Sequence, residues 1–416
     1  MIDSLSIFLG GENRITLPFL AYPPLFLSPI VPLAALIIIP NAKLPTIAKQ
    51  ILSIPLLLAL FLIPFGFTNG NRVIDLVAGV LSYNLFLRFL ELYWVGPMVQ
   101  DRPAYTTVES LWIDFWGCIR TFPQPAKEDT KDLKKGEVKV YKKDQKFYHI
   151  ILKLLGSIIV TDVVGSYMNT FTGTELAQIY VERPAFFLVI FIFVNIVLNG
   201  AFNSFGYSMQ LFYCLAFEGG SYSSEQWRPL MVSPIISSSL DNLWSFRWHQ
   251  LFKSTWLAFP FRPVRILTDR LLTKKVKNSK SIAFVLASVA VFVASALMHE
   301  YVIAANMGWP IYSRFYMGEQ VIFFVGHGLG AMVENMIKMS VAKKLPKSFT
   351  ESVWCKALQH IWVIVFGYLS FIYIMRGFMT WGFHHDTPLT FTRPWLNELI
   401  RSNPALLPYV GGNVPF

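Results

Sequence analysis

Charged residues are scarce in this chain of 416 residues. Asp, Glu, Lys and Arg make up 15% of the sequence, whereas a soluble domain carries about a quarter. Hydrophobic residues make up 54%, and the mean hydropathy is +0.47. A chain with so few charges cannot cover its surface with groups that water solvates, so much of that surface must face lipid. The composition excludes an ordinary soluble protein and indicates one integral membrane domain over residues 1–416.

Sequence motifs for metals, nucleotides and hydrolysis are also missing. The three cysteines, Cys118, Cys214 and Cys355, lie far apart and have no metal-ligand spacing. The sequence has no Walker glycine loop, no G-x-G-x-x-G, no H-E-x-x-H and no G-x-S-x-G. No histidine is followed by aspartate four or five residues later, and aspartate pairs that would hold Mg²⁺ are absent. We therefore expect neither a metal site nor a bound cofactor.

Long apolar runs are what the sequence does contain. A membrane-crossing helix needs roughly 20 mainly apolar residues. The sequence has eight such runs, at about 18–40, 51–69, 74–96, 150–171, 184–206, 281–305, 318–337 and 357–375. The fourth contains Asp162, and because a charge at mid-membrane costs about 2.5–3.5 kcal/mol, this side chain should face the bundle interior or a wet cavity. The runs predict an all-α, multi-pass helical bundle of about eight spans.

Positive charge dominates and is unevenly distributed. The chain has 36 Lys and Arg against 25 Asp and Glu, a net charge of +11. If the loops alternate across the membrane, most cations fall on one side, in 41–50, 97–149, 207–280 and 338–356. Because cytoplasmic loops collect Lys and Arg, we expect these four loops in the cytosol, both termini in the lumen and a location in the endoplasmic reticulum. Membrane topology thus explains the charge without nucleic-acid binding.

Two of the basic loops are too long to be simple connections. The first, 97–149, contains KEDTKDLKKGEVKVYKKDQK, a mixture of charges that predicts a solvated, mobile segment. The second, 207–280, is aromatic and basic together. It contains four aromatic residues at a spacing of four, with two cations beside them: Trp244, Trp248, Phe252 and Trp256, with Arg247 and Lys253. This spacing predicts a cytosolic amphipathic helix that either rests at the membrane surface or binds a nucleotide such as coenzyme A.

One histidine follows an unusually long uncharged run. Residues 282–298, IAFVLASVAVFVASALM, contain no charge and lead directly to His299 and Glu300. Two ionisable groups at the end of such a run are costly unless they are used. A desolvated imidazole stays neutral, and a neutral imidazole can accept a proton from an alcohol as a general base. The alternatives are a buried histidine bonded to a neighbouring carbonyl and a residue at the luminal interface.

Other polar groups in or near the apolar runs are weaker candidates. His327 lies in VGHGLG, where the glycines would let another helix approach closely, so we expect a structural role. We expect His360 at the membrane interface and the His-His-Asp triplet at 384–386 in a surface loop. Glu334 is expected to neutralise nearby lysines.

Two stretches around these histidines resemble family signatures. The first, WRPLMVSPIISSSLDNLWSFRWHQ at 227–250, is similar to W-R-P-L-F-x-S-P followed by S-L-x-D-F-W-x-x-x-W-H, and the second is ALMHEY at 296–301. Both are signatures of wax-synthase-like proteins, a branch of the membrane-bound O-acyltransferases. The sequence departs from the pattern at Asp241, Asn242 and Leu243, where the family usually has aspartate and phenylalanine before the tryptophan. The signature region covers about 227–305.

The resemblance implies an enzyme that moves an acyl group from acyl-CoA to the hydroxyl of an apolar alcohol that arrives from the lipid bilayer. It makes His299 the catalytic base and either His249 or Asn242 its polar partner, with Glu300 as a supporting group. The residues expected to bind acyl-CoA are Arg247, Trp248 and Lys253. Length and C-terminal sequence look most like fungal members, which often acetylate terpenoids. A synthase of long-chain wax or sterol esters is the alternative.

Two other classes of function remain open at this stage. A transporter would use intramembrane polar residues such as Arg88, Asp162 and His327 as its pathway. A non-catalytic membrane scaffold would explain the basic loops, although it would leave His299 and Glu300 without a purpose.

Overall fold

The computed structural model describes residues 6–100, 108–123, 141–340, 344–386 and 389–413, and its architecture is all-α. Eight long apolar helices coincide with the eight predicted runs. They are α1 (Tyr22–Ile38), α2 (Thr46–Gly66), α3 (Arg72–Leu90), α4 (Phe147–Met168), α5 (Pro184–Phe217), α6 (Ser279–Met307), α7 (Glu319–Ser340) and α8 (Val353–Trp381). Helix α3 continues as a π-helix, Glu91–Gln100.

Seven of these helices, α2 to α8, are long and apolar enough to cross a membrane, counted over the described part of the chain. Helix α1 has 17 residues and contains Pro29 and Pro32. Both of its ends are held by neighbouring helices. Lys49 at the start of α2 donates to the carbonyl of Ile39 at one end, and Tyr22 at the other end donates to Asp75 of α3 at 3.1 Å. The multi-pass helical bundle predicted from the sequence is confirmed.

Shorter elements connect the long helices. Two-residue strands pair Ile15–Thr16 with Phe67–Thr68 in parallel and Gln145–Lys146 with Ser221–Tyr222 antiparallel. The shorter α-helices are Val108–Trp116, Gly173–Glu182, Leu240–Asn242, Lys253–Trp256, Arg262–Leu272, Trp309–Phe315, Lys347–Thr350 and Arg393–Ser402. Single π-turns cover Leu243–Arg247 and Leu257–Phe261. The 3₁₀ turns are Ser6–Leu9, Gly11–Asn13, Ser224–Gln226, Pro234–Ile236, Phe383–Asp386 and Pro404–Tyr409.

Helix α6 lies at the centre of the bundle and packs against α2, α3, α7 and α8. Ala287 and Ala294 on this helix are buried. Gly328 on α7 allows a close approach, since a Cβ there would lie 2.7 Å from a ring carbon of Phe292 on α6. The predicted catalytic helix is thus surrounded by other helices along much of its length.

The described residues of the basic loops lie at one end of the bundle, which we call the basic end. Arg120 pairs with Glu218 at 2.6 Å, joining the loop after α3 to the end of α5. His360 on α8 bonds the carbonyl of Ser237 at 2.9 Å, so it contacts the 207–280 loop, and its position at the membrane interface stays a prediction. The amphipathic helix Arg262–Leu272 also lies in this loop. Most of the charge-rich stretch 127–146 lies outside the described residues.

The opposite end of the bundle gathers the segments predicted to be luminal. Arg14 pairs with Asp75 at 3.3 Å, and Arg72 pairs with Asp386 at 2.8 Å. His384 is buried and bonds the carbonyl of Phe171 at 2.8 Å, so the prediction of a surface loop at 384–386 is wrong for this residue. Both ends of the described chain lie here, which agrees with the predicted alternation of loops.

Asp162 is buried, as its cost in a membrane requires, but it serves the C-terminal segment. Its carboxylate accepts hydrogen bonds from the backbone N–H and the hydroxyl of Thr392, both at 2.8 Å, and from the N–H of Phe391 at 3.2 Å. The helix Arg393–Ser402 begins directly after these donors. The carboxylate therefore stabilises the turn at Phe391 and Thr392, to which its described hydrogen bonds go.

Candidate active site

The segment 227–261, which we call the re-entrant segment, folds back between the helices of the bundle. Trp244 contacts Phe292 of α6 at 5.7 Å and Phe324 of α7 at 5.7 Å between ring centroids. Phe252 and Trp256 pack against the buried cluster formed around Tyr301. The aromatic stripe therefore contacts protein in the bundle interior, and the predicted placement at the membrane surface is wrong.

The predicted continuous helix is also interrupted. Helix Leu240–Asn242 passes into the π-turn Leu243–Arg247, and the backbone becomes extended at Trp248 (φ −68°, ψ 153°). Gln250 is buried, and its amide nitrogen donates to the carbonyls of Trp244 at 3.2 Å and Trp248 at 2.9 Å. These bonds satisfy carbonyls that a helix would have paired. They close a turn around His249.

His249 sits at the apex of this turn among aromatic rings. Its ring stacks on Phe202 of α5 with centroids 4.2 Å apart, and Phe252 meets it edge-on at 6.0 Å. Its Nδ1 is buried and has no hydrogen-bond partner among the described residues. Burial lowers the pKa of His249 to about 3, and the nearby His299 contributes to this shift. His249 is therefore a neutral imidazole close to His299, with a nitrogen available for a ligand.

His299 projects from α6 with one nitrogen already used. Its Nδ1 lies 2.7 Å from the carbonyl oxygen of Ser295, one turn earlier on the same helix. Because a carbonyl can only accept, Nδ1 carries the proton and Nε2 presents a lone pair. Phe324 packs on the ring at 4.4 Å, and Phe378 meets it edge-on at 6.1 Å. The ring thus has a fixed tautomer and orientation, and Nε2 is the atom that can accept a proton.

Glu300 faces away from this pair of histidines. Successive residues on a helix are about 100° apart, and the Glu300 carboxylate accepts from the N–H groups of Gln320 at 3.0 Å and Val321 at 3.3 Å. These donors belong to the first turn of α7, whose N-terminus favours a negative charge. The structure therefore gives Glu300 a helix-capping role between α6 and α7.

Asn242 and Arg247 bond to each other within the re-entrant segment. The Nε of Arg247 donates to the Asn242 side-chain oxygen at 2.8 Å, and Nη1 donates to the carbonyl of Val232 at 3.0 Å. The sequence left His249 and Asn242 open as partners of His299. The Asn242 side-chain oxygen accepts from Arg247, whereas Nδ1 of His249 has no partner among the described residues. The guanidinium of Arg247 is largely occupied by contacts within the segment.

Lys253 remains exposed at the basic end, and Trp248 is partly buried against Trp244 and His249. Burial lowers the pKa of Lys253, and the neighbouring Arg228 lowers it further. Arg228 donates from Nε and Nη2 to the carbonyl of Cys118 at 3.0 and 2.9 Å. Two cations thus lie near each other beside the turn. Sequence reasoning quoted Arg228 in the motif but gave it no role, because Cys118 is distant in sequence.

Glu334 and His327 fasten the re-entrant segment to α7. The Glu334 carboxylate pairs with Lys338 at 2.5 Å, as predicted, and also accepts from the N–H of Leu240 at 2.7 Å. His327 is buried and accepts a hydrogen bond at Nδ1 from the indole of Trp244 at 3.1 Å. Gly330 lets Leu240 lie close to α7, since a Cβ at position 330 would lie 2.8 Å from the Leu240 side chain.

The fold and the site together define a class: a multi-pass membrane protein whose interior holds two buried imidazoles, one with its tautomer set by a backbone carbonyl. Comparison with known proteins gives this class a family. Residues 227–325 match the membrane bound O-acyl transferase family, a range that contains the re-entrant segment, His249, α6 and His299. This match agrees with the resemblance inferred from the two motifs within the same segment, and the fungal acetyltransferase type stays a prediction.

A curated relative is the "Long-chain-alcohol O-fatty-acyltransferase" of Simmondsia chinensis. It is 28% identical over 121 residues. The alignment covers 28% of this chain and 30% of the length of that protein. The similarity is therefore confined to part of each chain.

Proposed function

We propose that this protein is a membrane-bound O-acyltransferase that moves an acyl group from a coenzyme A thioester to a hydroxyl. The observation that carries the proposal is His299, whose Nδ1 is held by Ser295 so that Nε2 is free, beside His249, whose Nδ1 has no protein partner. This pair lies within 227–325, the segment that matches the family. An unpartnered buried nitrogen beside an oriented base is suited to a reacting group that must be bound and deprotonated.

In the proposed mechanism, Nε2 of His299 accepts the proton of the acceptor hydroxyl as its oxygen attacks the thioester carbonyl. The C–S bond then breaks, and the coenzyme A thiolate takes the proton back from the imidazolium. His249 donates from Nδ1 to the oxygen that becomes negative. General-base assistance contributes about 10²–10⁴-fold, and an oxyanion donor about 10²–10³-fold. The thioester is already activated, so the reaction requires no covalent enzyme intermediate and no cofactor beyond acyl-CoA.

We place the phosphates of the donor at the basic end. Lys253 is exposed there beside Arg228, and no acidic partner of either side chain occurs among the described ion pairs. Two adjacent cations favour a polyanion, because each relieves the repulsion that the other experiences. In this arrangement Arg247 supports the re-entrant segment, and Trp248 packs between His249 and the side on which acyl-CoA binds.

The acceptor is proposed to be an apolar alcohol that enters from the bilayer of the endoplasmic reticulum. Acetyl transfer to a terpenoid-type alcohol rests on the resemblance to fungal members. The similarity to a protein named for long-chain alcohols and fatty acyl groups favours the second candidate, a synthase of wax or sterol esters. Both candidates use the same histidines and differ in the length of the acyl chain and in the acceptor alcohol.

The test is acyl transfer by purified protein in lipid nanodiscs. Labelled donors from acetyl-CoA to stearoyl-CoA are offered with a terpenoid alcohol, a sterol and a long-chain alcohol, and esters are detected by mass spectrometry. Ester formation that is lost in His299→Ala supports the proposal, and the donor preference separates its two forms. Absence of any ester, with ligand-driven flux across sealed vesicles, would instead support a transporter.

A further inference from the structure

His327 is the buried histidine that the proposed mechanism does not use, and both of its nitrogens are occupied. Trp244 donates to Nδ1 at 3.1 Å, and Nε2 lies 2.9 Å from the hydroxyl oxygen of Ser370 on α8. The Ser370 hydroxyl has the carbonyls of Phe366 at 2.8 Å and Gly367 at 3.1 Å as acceptors. The three elements that meet at this ring are α7, α8 and the re-entrant segment.

These contacts determine the tautomer of His327. The indole of tryptophan can only donate, so Nδ1 must accept and carries no proton. The hydroxyl proton of Ser370 goes to a backbone carbonyl, so its oxygen accepts from the Nε2–H of His327. A ring with one committed acceptor and one committed donor has no free nitrogen for a substrate. His327 differs in this respect from His299, where Nε2 is free, and from His249, where Nδ1 is free.

The bond to Trp244 holds the part of the re-entrant segment that leads to His249. The carbonyl of Trp244 accepts from Gln250, the residue directly after His249. The ring of Trp244 also packs on Phe324, which in turn packs on His299 at 4.4 Å. A shift of Trp244 would therefore change the placement of both imidazoles relative to each other.

We propose that His327 is a positioning residue that holds Trp244, and through it the turn carrying His249, in register with His299. This inference rests on the proposed acyl transfer and extends it to a residue outside the matched segment 227–325. It also assigns His327 no proton transfer and no contact with substrate. The hydrogen bond from the Trp244 indole to Nδ1 is the contact that matters.

Two substitutions separate the two nitrogens of His327. In His327→Asn, the amide oxygen can occupy the place of Nδ1 and accept from Trp244, while the contact with Ser370 is lost. In His327→Gln, the longer amide can reach Ser370 from the place of Nε2, while Trp244 loses its acceptor. Trp244→Phe removes the same hydrogen bond from the other side and keeps an aromatic ring in place.

The expected result is a lower kcat with an unchanged KM for acyl-CoA in the variants that break the Trp244 bond. His327→Gln and Trp244→Phe should each reduce kcat by about 3- to 10-fold, the effect of one net hydrogen bond. Their combination should be no worse than either alone, because both remove the same contact. His327→Asn should stay within about 2-fold of the wild type. A loss in His327→Asn as large as in His327→Gln would overturn the proposal, since it would point to chemistry at the ring itself.

A second measurement keeps this test separate from the acyl-transfer assay. In protein with ¹⁵N-labelled tryptophan, the indole signal that disappears in Trp244→Phe belongs to Trp244. That signal should shift in His327→Gln and stay near its wild-type position in His327→Asn. If no ester forms with any donor but the signals behave in this way, the acyltransferase function fails and the hydrogen bond to Trp244 stands. An unmoved signal in His327→Gln would overturn the positioning role whatever the activity.

Discussion

At the scale of single residues, His299 and His360 differ in what their nitrogens contact. His299 uses Nδ1 within its own helix and keeps Nε2 free, whereas His360 joins α8 to the carbonyl of Ser237 in the re-entrant segment. His360 is therefore unsuitable as a neutral control for mutagenesis. His149, at the start of α4, contacts the nearby carbonyl of Lys146 at 3.3 Å and is partly exposed, which makes it the better control.

His299→Ala is expected to reduce acyl transfer by at least about 10²-fold, the lower range for a lost general base. Protein yield, detergent stability and acyl-CoA binding should change little, because the ring bonds only its own helix. His149→Ala should retain wild-type turnover in the same assay. Normal turnover by His299→Ala would show that another group removes the proton, and the proposed mechanism would fail.

The pH dependence of folding should report the environment of His249. Burial lowers its pKa to about 3 in the folded protein, and the ordinary value in an unfolded chain is about 6.5. Between these values the unfolded chain binds more protons, so the free energy of unfolding rises from pH 3 towards pH 6.5 and is constant above it. His249→Asn should flatten this rise in thermal-denaturation curves measured across that window. An unchanged slope would mean that His249 is solvated in the folded state.

At the scale of elements, the re-entrant segment separates cations that the sequence treated alike. Arg247 is bonded to Asn242 and Val232, while Lys253 is exposed beside Arg228. Charge alone did not distinguish them. Because the helix is interrupted at Trp248, the Arg247 side chain points into the re-entrant segment and the Lys253 side chain remains at the basic end.

Lys253→Ala should raise the KM for acyl-CoA by about 10-fold, the effect of one charge-assisted hydrogen bond worth about 1.5 kcal/mol. The KM for the alcohol should remain unchanged. Arg247→Ala should instead lower the melting temperature, because it leaves the carbonyl of Val232 without its donor. The exposed Lys275 provides a control with the same change of net charge. Equal increases of KM in Lys253→Ala and Lys275→Ala would indicate a diffuse electrostatic effect and no specific phosphate site.

At the scale of the whole molecule, the segments between helices sort into two ends. The described residues of 97–149 and 207–280 contact each other at the basic end, and the segments around Asp75, Phe171 and Asp386 contact one another at the other end. This sorting requires α1 to run from one end to the other although it is shorter than the remaining helices. The structure shows which segments share an end of the bundle. The charge of those segments predicts which end faces the cytosol.

A tag inserted within 124–140 is expected to be accessible from the cytosol, and tags at the N- and C-termini should both be protected in the lumen. Protease protection in sealed microsomes, with and without detergent, measures this directly. If the two terminal tags lie on opposite sides, α1 does not cross the bilayer. A protected tag in 124–140 would reverse the whole topology and remove the cytosolic entry of acyl-CoA.

Much of this protein followed from the sequence by itself, because apolar length and charge bias act locally. All eight predicted runs are helices, and His299 and His249 were singled out from an uncharged run and two motifs. Spacing in the sequence did not predict the structure where a polar group can bond either a neighbour in the sequence or a distant residue. The aromatic stripe was assigned to a continuous helix at the membrane surface, since its spacing contains no sign that Gln250 would bond the carbonyls of Trp244 and Trp248.

Only the tertiary structure decided which polar groups meet. Trp244 reaches His327 across 83 residues, Leu240 reaches Glu334 across 94, and Thr392 reaches Asp162 across 230. Such contacts depend on how helices pack, and the energy of a buried polar group depends on the partner it finds there. The sequence therefore determined that polar groups inside this apolar bundle must be paired or used. The packing of α6, α7, α8 and the re-entrant segment determined that His327 is paired at both nitrogens, whereas Nδ1 of His249 has no partner among the described residues.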